Sequence, residues 1–205
     1  TIARMAHRTC LAPLVMDTAM HERGENVAVK TELRNKSKDP RAVLVRFSFF
    51  APDRAATPLH SEDREINLPP QSANALEWTW SLPQDAPDYI QVRSRVYVDD
   101  TLIDEAESGF CVRAAWKTRA KNPVTPPRLL FGTDTYANMF FSPSHSPKTW
   151  YDDVCAMRDN GLTMFENLQF GFSKDGLKDE RWRQIDAIIQ LSDRFGLPYM
   201  AGLLI

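Results

Sequence analysis

At 205 residues the chain has room for one domain or two small ones, and its 43% hydrophobic and 25% charged content is ordinary for a globular protein. A net charge of −2 and a sequence pI near 6.1 provide no basic field for nucleic acid or an anionic membrane surface, which excludes those partners. No run of about 18 apolar residues offers a transmembrane helix.

The first region, up to about Arg113, reads as short strands. An early strand is expected around Leu11 to Met16, and Val27 to Leu33 then alternates apolar and polar residues up to a polar turn at Asn35–Pro40. Val43 to Phe50 follows, then a loop holding Pro52 and Pro58. Glu65–Leu68 precedes Pro69–Pro70, and Ala75 to Leu82 carries Leu76, Trp78 and Trp80 on one face. Tyr89 to Val98 sets Ile90, Val92, Ser94, Val96 and Val98 against Tyr89, Gln91, Arg93, Arg95 and Tyr97. A turn at Asp99–Asp100 leads to Leu102–Ile103 and on to Phe110–Val112. Period-two alternation at this spacing predicts about seven strands in an antiparallel β-sandwich over residues 1–116. Trp78 and Trp80, two apart on a strand, read as core, with a sugar platform as the alternative. Cys10, Cys111 and Cys155 are far apart and lack a CxxC pair, so they read as reduced, packed thiols and leave the compartment open.

Residues 117–127 form a connector containing Pro123, Pro126 and Pro127, which forbid continued strand pairing and stiffen the link. The domain boundary belongs there.

From residue 128 to 205 the pattern changes to strand, helix, strand, helix, strand. Apolar runs Leu129–Phe131, Leu162–Phe170 and Leu197–Ile205 begin 33 and 35 residues apart. Between them, Ser146 as cap, Pro147 at the first helical position and Gly161 past the last turn frame one helix, with Trp150, Val154 and Met157 on its covered stripe. Asp179 caps a second, whose apolar face is expected to hold Trp182, Ile185, Ile188, Ile189 and Phe195, ended by Gly196 and Pro198. Continuous apolar strands joined by helices make a parallel sheet buried on both faces. The repeat length is that of a (β/α)8 barrel, which needs eight strands in roughly 250 residues. The expectation is therefore the first three strands of a TIM barrel, truncated.

Right-handed crossovers gather the carboxyl ends of such strands on one rim. Thr133, Asp134, Thr135, Tyr136, Asn138, Phe140 and Phe141 follow the first strand, and Glu166, Asn167, Gln169, Phe170 and Phe172 lie at or beyond the end of the second. Carboxylates and amides pair sugar hydroxyls, and aromatic rings stack on the apolar face of a pyranose. Asp134, Tyr136, Glu166, Asn167 and Gln169 are accordingly the candidate substrate-binding residues. The same residues also suit structural duties: Asp134 tying its loop, Glu166 pairing a buried Arg, the phenylalanines plugging a barrel mouth. His7, His21, His60 and His145 lack metal-ligand spacing, and neither a GxSxG elbow nor a phosphate-cradling glycine motif is present, so no metal or cofactor is expected.

Three passages resemble clan A glycoside hydrolases, particularly the family-2 and family-42 β-galactosidases. Gly24–Val27 through Leu33–Asn35 resembles the opening strands of their immunoglobulin-like sandwich. Glu107–Arg113, with its Gly-Phe-x-x-Arg pattern, resembles the sandwich's last strand. Phe131–Tyr136, then Trp150–Tyr151 through Met157–Leu162, resembles the first strand and helix of the catalytic barrel leading into the second strand. The resemblance implies a retaining hydrolase of O-glycosidic bonds, acting on oligo- or polysaccharides with two carboxylates about 5–5.5 Å apart. In the family these stand at the ends of the fourth and seventh strands, so no catalytic residue is expected within this chain and it should be inactive alone. Two other classes compete. One is a non-catalytic carbohydrate-binding or cell-surface adhesion module holding its ligand on the sandwich through Trp78, Trp80 or Tyr97. The other is a complete small α/β domain, flavodoxin-like in size.

Overall fold

The structure, a computed structural model, describes residues 9–52, 56–114, 132–135, 146–171 and 179–204, with 132–135, 165–171 and 200–204 given as backbone. Two compact units emerge: Thr1–Asp17 with Gly24–Gly109, and Thr18–Arg23 with Phe110–Ile205. The expected connector, 117–127, lies outside the described residues. In chain order the early strands are β1 (Thr9–Leu11), β2 (Val15–Met16), β3 (Met20–His21), β4 (Asn26–Asn35), β5 (Arg41–Phe50), β6 (His60–Leu68), β7 (Ser72–Ser81), β8 (Tyr89–Val98) and β9 (Thr101–Val112).

The first unit is a β-sandwich. In one sheet β4 lies between β7 on one side and β1 and β2, end to end, on the other, all antiparallel. In the other, β8 lies between β9 and β5, and β6 forms the far edge. Alternation decides which side chains meet between the sheets. Val27, Val29 and Leu33 of β4, Val45 and Phe47 of β5, and Ile90, Val92 and Val96 of β8 are fully buried. Trp78, 1% exposed, stacks on Phe47 with centroids 4.5 Å apart and planes 11° apart, and Trp80 lies 4.4 Å from Phe49. Such large rings contribute about 2–3 kcal/mol each through burial alone.

Charges that look out of place on β6 have a purpose. Arg64 lies over the Trp78 ring at 4.8 Å and donates from Nη1 to the Glu77 carbonyl at 2.8 Å. It thereby ties one sheet's edge strand to the other's, and an inward charge also discourages edge-to-edge pairing.

Several strand boundaries differ from expectation. Leu11–Met16 breaks into β1 and β2 because Pro13 has no N–H for the ladder. Residues 101–112 form one strand instead of two. The apparent interruption at Asp104 is a buried carboxylate, satisfied by the N–H groups of Leu11 at 2.8 Å and Glu105 at 2.9 Å. β6 extends back to His60 through a charged stretch that resembles a loop. The turn between β8 and β9 was legible: Asp99 and Asp100 have φ of 47° and 62°, the pattern of a type I′ hairpin.

The second unit contains β3, parallel to the end of β9 with Met20 opposite Cys111 and His21 opposite Val112. It continues with β10 (Gly132–Thr135), α1 (Pro147–Asp159), β11 (Met164–Gly171), α2 (Asp179–Arg194) and β12 (Tyr199–Leu204). The last three strands form a parallel sheet in the order β10–β11–β12. Pro147 starts α1 as expected, but the hydroxyl of Ser146, whose backbone is extended, makes no capping bond. Trp150 and Val154 are buried on α1. On α2 the covered face centres on Ala187, Ile188 and Leu191. Trp182 lies opposite that centre on a 100° wheel, which leaves it 48% exposed and corrects its assignment to the apolar face.

Both helices end in a Schellman motif. Leu162 N–H reaches Met157 O at 3.0 Å and Gly161 N–H reaches Arg158 O at 3.0 Å; Leu197 N–H reaches Ser192 O at 3.0 Å and Gly196 N–H reaches Asp193 O at 3.1 Å. The glycines have φ of +79° and +68°, and no atom lies within 4 Å of an added Cβ at either. Gly196→Ala should therefore cost only the left-handed backbone penalty, about 1–2 kcal/mol, measurable by urea unfolding.

The helix α2 is held to the β3/β9 pair by polar bonds. Gln190, 3% exposed, donates from Nε2 to the Val112 carbonyl at 2.8 Å and accepts the Ala114 N–H at 2.9 Å. Arg113 pairs with Asp186 and Glu22, and Arg183 donates to the Met20 carbonyl at 2.6 Å.

Candidate functional site

The described candidate residues lie inside the strands: Asp134 is third of the four residues of β10, and Glu166, Asn167 and Gln169 are third, fourth and sixth of the eight of β11, not at or beyond its end as expected. Register places Asp134 opposite Glu166 and Thr135 opposite Asn167; Glu166 in turn stands opposite Met200, and Asn167 opposite Ala201. Adjacent strands lie about 4.8 Å apart, so Asp134 and Glu166 are immediate cross-strand neighbours, with Asn167 one step nearer the rim. Thr133, Asp134 and Thr135 were expected in the loop after the first strand. They lie within β10 itself, because a ladder to a parallel partner uses only backbone groups and is indifferent to polar side chains.

Gln169 has a different setting. The pairs Leu168 with Gly202 and Phe170 with Leu203 are consecutive, so the register slips at Gln169 and leaves it unpaired with β12. Such bulges bend a strand and increase its local twist. Gly202, opposite Leu168 at the slip, and Gly171, two residues beyond Gln169, are its local signals, since an isolated glycine within a strand often accompanies a bulge. Tyr136, Asn138, Phe140, Phe141 and Phe172 lie outside the described residues.

The remaining reactive groups show little activation. Burial raises the Cys155 thiol above its ordinary pKa, which disfavours a nucleophilic thiolate. Burial likewise pushes the Tyr199 phenol, at the start of β12, well above the usual range. His21 is buried edge-on to Phe110 at 5.1 Å, and His60 lies nearly parallel to Trp80 at 5.7 Å. Among the described residues no group of three or more His, Cys, Asp or Glu stands close enough to hold a metal ion. No helix of the described residues is long and apolar enough to cross a membrane.

On the sandwich, the three aromatic candidates separate. Trp78 is sealed between the sheets and has no face left for a sugar, as its place on the strand implied. Trp80 is half-buried between Phe49 and His60, and Tyr97 is half-buried beneath the guanidinium of Arg46.

No protein-family model matches the chain, and no curated protein does. Solved structures match its fold. A Bacteroides fragilis protein assigned as a β-galactosidase aligns over 96% of the chain with a TM-score of 0.51 and 15% identity; the chain spans 30% of that protein's length. A β-glucuronidase from Bacteroides uniformis aligns over 94% of the chain, with a TM-score of 0.48, 13% identity and 24% of its own length covered. A β-glucuronidase from glycoside hydrolase family 2 aligns over 96%, with a TM-score of 0.49, 9% identity and 22% of its length covered. The first alignment carries a shared fold over nearly the whole chain, and at this identity the likeness concerns fold alone.

Proposed function

We propose that the chain is the N-terminal portion of a retaining O-glycoside hydrolase, β-galactosidase-like, in which an immunoglobulin-like sandwich leads through residues 117–127 into the opening strands of a (β/α)8 barrel. The carrying observation is the fold shared with a larger protein assigned as a β-galactosidase, of which the chain spans 30%. Within the second unit, the parallel order β10–β11–β12 with α1 and α2 as crossovers supports the barrel reading. Asp134, Tyr136, Glu166, Asn167 and Gln169 contact one sugar of the substrate, carboxylates and amides bonding its hydroxyls. The resemblance implies that the acid/base and the nucleophile, the two carboxylates retention needs, stand at the ends of the fourth and seventh barrel strands, outside these residues.

Two measurements test this reading. The purified chain should release no nitrophenol from aryl β-galactosides or β-glucuronides above the buffer rate; turnover that disappears in Glu166→Gln would overturn the assignment of roles. NMR titration with lactose should shift backbone amides of residues 132–135 and 164–167, and Glu166→Gln should weaken that response. A rim that shows no response to any sugar would remove the binding roles.

A further inference from the structure

The outer face of the β9–β8–β5–β6 sheet is a field of paired charges. Arg46, opposite both Asp63 and Arg95, bonds Asp63 with two prongs, Nε to Oδ1 at 2.9 Å and Nη2 to Oδ2 at 2.7 Å. Arg95 pairs with Glu105, and Arg93 with Glu107 at 2.8 Å. One row nearer the Asp99–Asp100 turn the pairing stops. Leu44 stands there between Glu65 and Tyr97, and a groove of about 370 Å³ opens, lined by Leu44, Glu65, Asn67, Tyr97, Asp99 and Asp100. Among the described residues, the side chains of Glu65, Asn67, Asp99 and Asp100 make no hydrogen bond or ion pair.

The ring beside them is fixed in advance. The Arg46 guanidinium lies 5.7 Å from the Tyr97 centroid and is itself locked by Asp63. An aromatic ring immobilised before binding loses little freedom when a ligand arrives. The groove also falls within the size range of small-molecule sites, about 300–1,000 Å³.

We propose that this groove is a second, non-catalytic carbohydrate subsite that takes one neutral sugar unit. The Tyr97 ring and Leu44 meet the apolar face of a pyranose, while Asn67 and Glu65 bond its hydroxyls, with Asp99 and Asp100 as further acceptors at the rim. Charge selects the sugar. No unpaired cation lines the groove, so a uronate or sulfated sugar finds only repulsion. Arg46 already lies over the Tyr97 ring, so a cationic sugar gains no contact with that covered face, and only the carboxylates of Glu65, Asp99 and Asp100 attract it. The choice of a sugar rests on the hydrolase reading; the groove's geometry does not.

The test is an NMR titration of the 205-residue protein with lactose, with glucosamine as the cationic comparison. Lactose should produce saturable shifts at Leu44, Asn67 and Tyr97. Tyr97→Ala should weaken binding about tenfold and Arg46→Ala by about threefold, while Tyr97→Phe retains it. Asp134→Asn and Glu166→Gln should leave the shifts at the groove unchanged. Lactose shifts confined to β10 and β11 would overturn the groove and leave the hydrolase reading standing. Shifts confined to the groove would support the subsite and remove the rim roles. Binding of glucosamine without lactose, or no saturable response from either, would overturn the subsite.

Discussion

Trp78→Ala is expected to lower the stability of the sandwich by about 3–5 kcal/mol, a large share of the 5–15 kcal/mol that ordinarily holds a domain together. The ring is 1% exposed, stacks on Phe47 at 4.5 Å and lies beneath Arg64 at 4.8 Å. Alanine would forfeit the burial of the indole, leave a cavity between two sheets that cannot close over it, and remove the surface on which Arg64 spans the edge. Thermal unfolding followed by near-ultraviolet circular dichroism should show a fall of more than about 12 °C. Trp78→Phe should cost much less. The indole N–H is buried without a hydrogen-bond partner among the described residues, so phenylalanine removes an unsatisfied donor along with part of the volume. Trp80→Ala, at a half-buried ring, should cost less than Trp78→Ala. A Trp78→Ala protein that melts within a few degrees of the parent would place this ring outside the core and return it to the list of sugar platforms.

Gln190→Ala is the second large effect, about 2–4 kcal/mol in the unit that holds α2. One amide satisfies two backbone groups at once, the Val112 carbonyl at 2.8 Å and the Ala114 N–H at 2.9 Å, in a setting 3% exposed. Alanine strands both the buried Val112 carbonyl and the half-buried Ala114 N–H, and a buried unpaired group costs about 1–3 kcal/mol. Gln190→Glu separates hydrogen bonding from shape. An ionised carboxylate can accept from Ala114 but cannot donate to Val112, and it would be buried beside a carbonyl oxygen. Its folded pKa would thus rise above the unfolded value of about 4.3. The folded state then binds more protons than the unfolded one in the interval between those values. The variant should gain stability as pH falls through its raised folded pKa and lose that gain as pH rises. Urea unfolding at several pH values reads this directly, and amide exchange at Val112 and Ala114 locates it. A Gln190→Glu protein with the parent's pH profile would rule out the amide as the bridging group.

How much of this was legible from the residues depended on whether side chains or main chain did the organising. β8 was readable end to end, Tyr89 to Val98, because its alternation is uninterrupted. So was α1, framed by Pro147 and Gly161. β9 was not, since Asp104 breaks the alternation in sequence yet is satisfied in space by the distant Leu11 N–H. β3, two residues long and parallel to the end of β9, leaves no periodic trace. Trp182 followed a stripe on paper but sits opposite the covered face of α2. Gln190 carries no mark in the sequence, because the two groups its amide bridges are backbone atoms. At the rim, Asp134 and Glu166 could be named from the apolar runs around them, although both lie inside their strands. The pairing of Asp134 with Glu166 and the slip at Gln169 are properties of register, which emerges only when strands meet.

The two Schellman turns have a wider consequence. Each lies in a connection of four residues, 160–163 and 195–198, with glycine second and leucine third. This pole of the sheet is therefore stereotyped and intolerant of insertion, because an added residue would displace the glycine from its left-handed position. Evolution in this molecule would therefore run around these two corners, with near-stasis at the paired glycines.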